Sequence, residues 1–287
     1  MTAVPPADQL SVSKLHGLGN DFLVVLGQPD GIPVTASLAR RLCDRHEGIG
    51  ADGCILGTRL AGPGADHDRA WGDAGATRPL LRFDLWNADG SEAEMSGNGI
   101  RCLAHAALDA GWVPEDMPFG VMTPAGRRQV TIRREPDGGT TWGRVEMGEV
   151  KVLGEAERCN VGHGQLLVDA GNPHLVILGP DPATVDVGVL GPALEGTDPA
   201  GLNVEFVALG PGPDAVTMRV WERGVGETRA CGTGACAAAA ALHHWGRVGS
   251  VVTVHQPGGA AAVELYPDGT ATLAGPSVHI ATCWMRP

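Results

Sequence analysis

Three short patterns occur twice in this chain, in the same order. Gly19-Asn20-Asp21-Phe22-Leu23-Val24-Val25 is echoed by Gly171-Asn172-Pro173-His174-Leu175-Val176-Ile177, and Gly48-Ile49-Gly50-Ala51-Asp52 by Gly201-Leu202-Asn203-Val204-Glu205. In the third pair, Leu85-Trp86-Asn87 is followed nine residues after the Asn by Ser96-Gly97-Asn98-Gly99. Val220-Trp221-Glu222 is followed at the same spacing by Cys231-Gly232-Thr233-Gly234. One such match is ordinary turn chemistry, since Gly-Asn pairs are common in turns. Three in collinear order point to an internal duplication, and a duplicated chain must build two similar cores.

Each half reads as an α/β unit. Strands are expected at Phe22–Leu26, Leu81–Trp86, Leu166–Asp169, His174–Ile177 and Met218–Trp221. One prominent helix per half is expected at Gly97–Ala110 and Gly232–Trp245, stopped by Gly111 and Gly246. The second helix, GTGACAAAAALHHW, is nearly all small residues, so neighbouring surfaces can approach it from most sides. The hinge between halves is placed near Thr123-Pro124-Ala125-Gly126, and Ala274-Gly275-Pro276 reads as a return crossing. The domains are therefore 1–124 with 276–287, and 125–275. Residues 61–79, rich in Gly, Ala and Asp without a period, read as a surface insertion.

With 287 residues, 43% of them hydrophobic, the chain has the material for sizeable cores. Its 21 basic and 33 acidic residues leave a net charge of −12, and no basic run exceeds an Arg-Arg pair, which argues against a nucleic-acid partner. The start, MTAVPPADQL, lacks a basic and apolar leader, and no stretch approaches the roughly 18 apolar residues of a membrane span. A cytoplasmic protein handling small molecules, with no membrane partner, is expected. Seven cysteines without a CxxC argue against a disulfide framework and a structural zinc site.

Cys231 stands immediately before Gly-Thr-Gly and a helix start. Backbone N–H groups and the helix dipole around its sulfur are expected to lower the thiol pKa, giving a proton acceptor near neutrality. The same N–H groups favour anions. Gly97-Asn98 and Gly232-Thr233, at two helix starts, are therefore candidate carboxylate sites. Glu222-Arg223 offers a carboxylate for an ammonium and a guanidinium for a carboxylate. Asn20, Asn87, Asn172 and Asn203 lie in turn-like settings, yet together supply four amides for a zwitterion. His174 is a better functional candidate than His16, although both fit as core histidines. His243-His244 with Cys236 is rejected as a metal site because adjacent helical side chains point apart. Gly48–Gly53 spells GxGxxG, but the helical reading before it and the strand after it are the reverse of a dinucleotide fingerprint. No metal and no cofactor are expected.

Taken together, these motifs resemble the diaminopimelate epimerase family, nearly end to end. The match runs through His16–Phe22, Gly48–Asp52, Asn87–Ser91, Gly97–Cys102, Gly171–His174, Gly201–Val204, Trp221–Gly224 and Ala230–Ala235. The resemblance implies an α/β (α+β) fold of two pseudo-symmetric halves, each a curved, mainly antiparallel sheet wrapped around a central helix, with the active site in the cleft between them. It implies cofactor-independent interconversion of LL- and meso-2,6-diaminopimelate by two thiols on opposite faces of the α-carbon, and it is compatible with a homodimer. By position Cys231 matches one thiol and Ser96 takes the place of the other. His174 and Glu222 match residues that assist proton transfer. Asn20, Asn87, Gly97, Asn98, Asn172, Asn203, Glu222, Arg223, Gly232 and Thr233 match substrate contacts. Gly53 falls where some members carry a substrate-contacting Gln.

Ser96 departs from the pattern. A hydroxyl is a far weaker acid than a thiol, so strongly reduced epimerisation is expected. Three readings stand side by side: an engineered substitution that permits a stable substrate complex, a natural variant whose hydroxyl still serves in the pair as in some proline racemase-like relatives, or a non-catalytic amino-acid-binding homologue. A racemase of another amino acid, of the histidine or hydroxyproline type, would leave part of the four-Asn set unused.

Overall fold

The computed structural model describes residues 9–27, 33–60, 79–179 and 181–286. The expected surface insertion at 61–79 lies outside these except for Pro79, as does most of the start MTAVPPADQL. The chain forms two compact units: Met1–Gly17 with Asp21–Gly143 and Pro276–Pro287, and Leu18–Asn20 with Arg144–Gly275. Thr123–Gly126, the expected hinge, is a tight hairpin turn closed by the Thr123–Gly126 pair, with Gly126 at φ +102. The units part further on, at Gly143 and Arg144.

The first unit runs β1 (Leu10–Gly17), β2 (Asn20–Gly27), α1 (Ala36–Cys43), β3 (Gly53–Arg59), β4 (Leu80–Asn87), β5 (Glu92–Ala93), α2 (Gly97–Asp109), β6 (Phe119–Thr123), β7 (Gly126–Arg134) and the start of β8 (Thr140–Glu149). β2 and β3 are parallel, joined through α1, and β4 returns antiparallel to β3. β6 lies parallel to β4, and β7 antiparallel to β6. The parallel pair is covered on both faces, by α1 and by α2, so β2 needs a continuous apolar run and has one in Leu23-Val24-Val25, all buried.

The second unit repeats this plan. β9 (Lys151–Glu155) and β10 (Gly164–Asp169) precede β11 (Pro173–Leu178), α3 (Val187–Glu195), β12 (Asn203–Leu209), β13 (Ala215–Glu222), β14 (Gly226–Thr228), α4 (Gly232–His244), β15 (Val251–Gln256), β16 (Gly259–Leu265) and β17 (Thr270–Met285). β11 and β12 are parallel through α3, β13 is antiparallel to β12, and β15 is parallel to β13. From Pro276 the chain belongs to the first unit again, where β17 pairs antiparallel with β1.

α2 and α4 cover the expected spans and end where Gly111 and Gly246 take φ +68 and +65. α4 packs against seven strands of its unit, β9 to β13, β15 and β16, and every residue from Gly234 to Leu242 is buried. Side chains larger than Ala would hold those strands away. α3 has no counterpart among the expected helices because its short VGVLGPALE run carries two Gly and a Pro. The duplication was the cue for it, since α1 sits at the same place in the first unit. Among the described residues no helix is long and apolar enough to cross a membrane.

α3 docks through Gly191, where an added Cβ would lie 2.5 Å from Cγ of Trp221. Gly191→Ala is expected to destabilise the protein by about 1–3 kcal/mol. The exposed Gly188→Ala, whose Cβ meets nothing closer than 3.6 Å, should be neutral or stabilising by about 0.5–1 kcal/mol. Urea midpoints at constant m-value check the pair.

Candidate active site

The best-defined polar cluster in the second unit surrounds the start of α4. Cys231 is the N-cap, with extended backbone (φ −121, ψ 123), and its Sγ accepts the Gly234 N–H at 3.3 Å. Its own N–H donates to Gln256 Oε1 at 2.8 Å, and the Thr233 hydroxyl lies 3.5 Å from the sulfur. Glu222, at the end of β13, takes hydrogen bonds from the Thr228 hydroxyl and the Cys231 thiol. Burial is the main cause that pushes the Glu222 carboxyl above its ordinary range.

The same forces act on the thiol, and they correct the expectation drawn from the helix start. Cys231 is only 5% exposed. Burial first, then the negative charges of Glu222 and Glu205, push its pKa well up, against the smaller help of Thr233 and the Gly234 N–H. The helix terminus is where it was expected, but a helix dipole contributes only about 0.3–1 kcal/mol at an exposed site. Removing a thiolate from water beside two carboxylates outweighs that, so the cluster holds Cys231 as a thiol.

His174, fully buried, bridges two groups. Its Nδ1 lies 2.7 Å from Glu205 Oε1 and its Nε2 2.9 Å from Asn172 Oδ1. Glu205 was missed in the sequence, as were Gln256 and Thr228. Its signal was available: an acid inside the apolar run Asn-Val-Glu-Phe-Val of a strand buried on both faces. Asn203 is engaged with the main chain, its Nδ2 donating to the Pro173 carbonyl at 3.0 Å and its Oδ1 accepting the Arg223 N–H at 3.0 Å. It braces β11 against the Glu222-Arg223 turn. The Arg223 guanidinium is exposed and donates to the Ala200 carbonyl. Asn20 also belongs to this unit, in the Leu18–Asn20 turn beside Gly258, whose added Cβ would strike the Leu18 carbonyl.

In the first unit Ser96 occupies the corresponding place. It is the N-cap of α2 with extended backbone (φ −145, ψ 117), and its Oγ accepts the Gly99 N–H at 3.0 Å. The Asn98 side chain, 2% exposed, accepts from the buried Arg101 guanidinium, so it turns into the unit. At both helix starts the first-turn main-chain N–H groups have no acceptor within the helix, and the cap side chain takes the one three residues on. Asn87 closes the turn into β5, its Nδ2 donating to Ser91 Oγ at 3.0 Å.

Other sequence features resolve into structure. Gly48–Gly53 follows α1 and opens β3, the reverse of a dinucleotide turn. His243 Nδ1 sits 3.1 Å from the Val248 and Gly249 carbonyls. His16 lies in β1, partly buried. All seven cysteines are free, and burial pushes Cys43, Cys54 and Cys102 up to about 12.

The diaminopimelate epimerase family model matches residues 12–153 and 166–280. The chain is 38% identical over 292 residues to a diaminopimelate epimerase of Desulfitobacterium hafniense, covering 94% of this chain and 96% of that protein. It is 40% identical over 279 residues to one of Corynebacterium glutamicum, covering 94% and 95%. Among solved structures, a hydroxyproline epimerase from Agrobacterium vitis with bound trans-4-hydroxy-L-proline superposes with TM-score 0.64 at 19% identity, covering 97% of this chain and 91% of that one. A predicted epimerase from Pseudomonas aeruginosa superposes with TM-score 0.69 at 15% identity, covering 97% and 99%. These two likenesses bear on the fold.

Because the thiol pKa is raised, Cys231 thiolate should appear only above the usual thiol range of about 8.5. The neutral buried thiol contributes stability that is present below the unfolded thiol pKa and lost as pH rises through the folded one. Alkylation of Cys231 by iodoacetamide, followed by mass spectrometry across roughly pH 7 to 10, should climb late in the parent. It should climb at lower pH in Glu222→Gln, which removes one of the opposing charges. A profile unmoved by Glu222→Gln would mean that this charge does not reach the sulfur.

Proposed function

The chain belongs to the diaminopimelate epimerase family, a family of isomerases, and on that premise we propose that it interconverts LL- and meso-diaminopimelate by proton transfer at one α-carbon. The observation that carries the residue roles is the matched pair of caps. Ser96 and Cys231 hold the same position at the starts of α2 and α4, each accepting the N–H three residues on. Inversion without a cofactor needs one group to remove the α-proton and another to return a proton from the opposite face. Cys231 is the proposed base and Ser96 the proposed acid.

The base must first lose its own proton. Its neighbour Glu222 accepts a hydrogen bond from the thiol and is the group to take that proton. A substrate ammonium arriving beside Glu222 would offset the negative charge that disfavours the thiolate. The thiolate then takes the α-proton, and the carbanion is held by hydrogen-bond donors to the substrate carboxylate. Gly232 and Thr233 at α4, and Gly97 and Asn98 at α2, are the proposed main-chain donors. Arg223 and the amides of Asn20, Asn87, Asn172 and Asn203 are the proposed contacts to the rest of the zwitterion. The supporting chemistry needs neither pyridoxal phosphate nor a metal. A cytoplasmic location and a homodimer are proposed on the family resemblance alone.

Ser96 limits the rate. Donating its proton leaves an alkoxide, and helix-start help of about 0.3–1 kcal/mol is less than one pKa unit, which is about 1.4 kcal/mol. In D₂O the parent should wash deuterium into one configuration of diaminopimelate much faster than it inverts it. Ser96→Cys should raise epimerisation by at least about 10²-fold, within the usual range for a positioned acid or base. It should also lower stability slightly, because Ser is a strong cap and its loss costs about 0.5–2 kcal/mol when replaced by Ala. Deuterium NMR and chiral chromatography check the first outcome, and urea titration the second. Equal epimerisation by parent and variant would refute the acid role, and no exchange in either would favour an amino-acid-binding homologue.

A further inference from the structure

Glu205 is a buried carboxylate that the proposed proton transfers leave unused. It stands two residues after Asn203 on β12, so both side chains fall on the same face of the strand. Its side chain is fully buried. Oε1 meets His174 Nδ1 at 2.7 Å, while Oε2 is buried without a hydrogen-bond partner. α4 presses on the same carboxylate: a Cβ on Gly234 would lie 2.7 Å from Glu205 Oε1. A half-satisfied buried carboxylate carries a desolvation cost that an apolar residue in this strand would not. In a strand otherwise selected for apolar packing, that cost has to be offset by what Oε1 does.

Oε1 fixes the imidazole. A carboxylate oxygen can only accept from a ring nitrogen, so Nδ1 carries the hydrogen. Nε2 is thereby left as an acceptor 2.9 Å from Asn172 Oδ1, so the Asn172 amide bonds to it only when turned to present its Nδ2 donor. A ring held in one orientation, with one nitrogen committed, leaves the Asn172 amide a single partner and a single pose. We propose that Glu205 is a positioning residue of this site. Its carboxylate holds His174 in the Nδ1–H form, and His174 in turn orients the Asn172 amide for a polar group of an amino-acid ligand. The chain Glu205, His174, Asn172 thus links the interior of β12 to the turn before β11. The role of Asn172 toward the ligand rests on the proposed epimerase reading, whereas the Glu205–His174 link does not.

The test uses Glu205→Gln, which keeps shape and an acceptor oxygen, and Glu205→Leu, which removes the acceptor. In ligand-free protein labelled with ¹⁵N-histidine, the parent should show His174 protonated at Nδ1, with that proton slow to exchange. Glu205→Gln should retain the signal, and Glu205→Leu should lose it or redistribute it between the two nitrogens. In the Ser96→Cys background, diaminopimelate α-proton exchange should fall on the order of 10²-fold in kcat/KM for Glu205→Leu, with a raised KM, and within roughly tenfold for Glu205→Gln. Should Glu205→Leu not fold, a Glu205→Gln protein with an unchanged ring signal and exchange rate within tenfold of the parent supports the proposal. An Nδ1 signal absent from the parent overturns it, as does one that is unchanged in a folded Glu205→Leu variant. If no form of the protein exchanges the diaminopimelate α-proton, the epimerase reading fails while the ring signals still decide the role of Glu205.

Discussion

The start of α4 is the constraint around which the second unit is arranged. A helix that packs against seven strands of its unit must be built of Ala and Gly, and its first turn then lies among strand residues rather than in water. The sulfur of Cys231 caps that turn in place of solvent. Gln256 takes the Cys231 N–H, and Glu222 and Glu205 bring carboxylates to the same place. Each of these contacts is ordinary by itself. Collected under a buried helix start, they set the protonation of the thiol, because burial makes every charge around it count more.

Duplication places a second helix start of the same kind in the first unit, with a different chemical outcome. Ser96 caps α2 through an oxygen, which suits the cap better than sulfur, and it is only partly buried. The two caps have diverged in opposite senses. One combines a strong cap with a weak acid, and the other a weaker cap with an acid whose proton is held by its surroundings. The stability of a helix start and the acidity wanted for proton transfer are distinct demands on one atom, and Ser96 meets the first.

Burial also separates side chains that look alike in a list of motifs. Of the four Asn residues singled out, Asn203 has both ends of its amide on main-chain partners and Asn172 meets a histidine, while Asn87 closes an exposed turn. Asn203 does its work on the polypeptide, tying β11 to the residue after Glu222. His174 is both a satisfied core histidine and a member of the cluster, so those two readings, alternatives in the sequence, hold together in the fold.

The sequence by itself determined the duplication, the spans of α2 and α4, the strands flanking them and the identities of both caps. Those signals are local: glycine stops, apolar periodicity and a fixed nine-residue spacing. It also carried the family, since the motifs are collinear over nearly the whole chain. Two things were left to tertiary structure. Glu205 became a partner of His174 only because parallel pairing of β11 with β12 puts His174 opposite Asn203, two residues before Glu205. The pKa of Cys231 moved up rather than down because residues separated in sequence brought carboxylates and burial to the sulfur. A helix dipole can be read from a motif, but desolvation and distant charges exist only once the chain has packed.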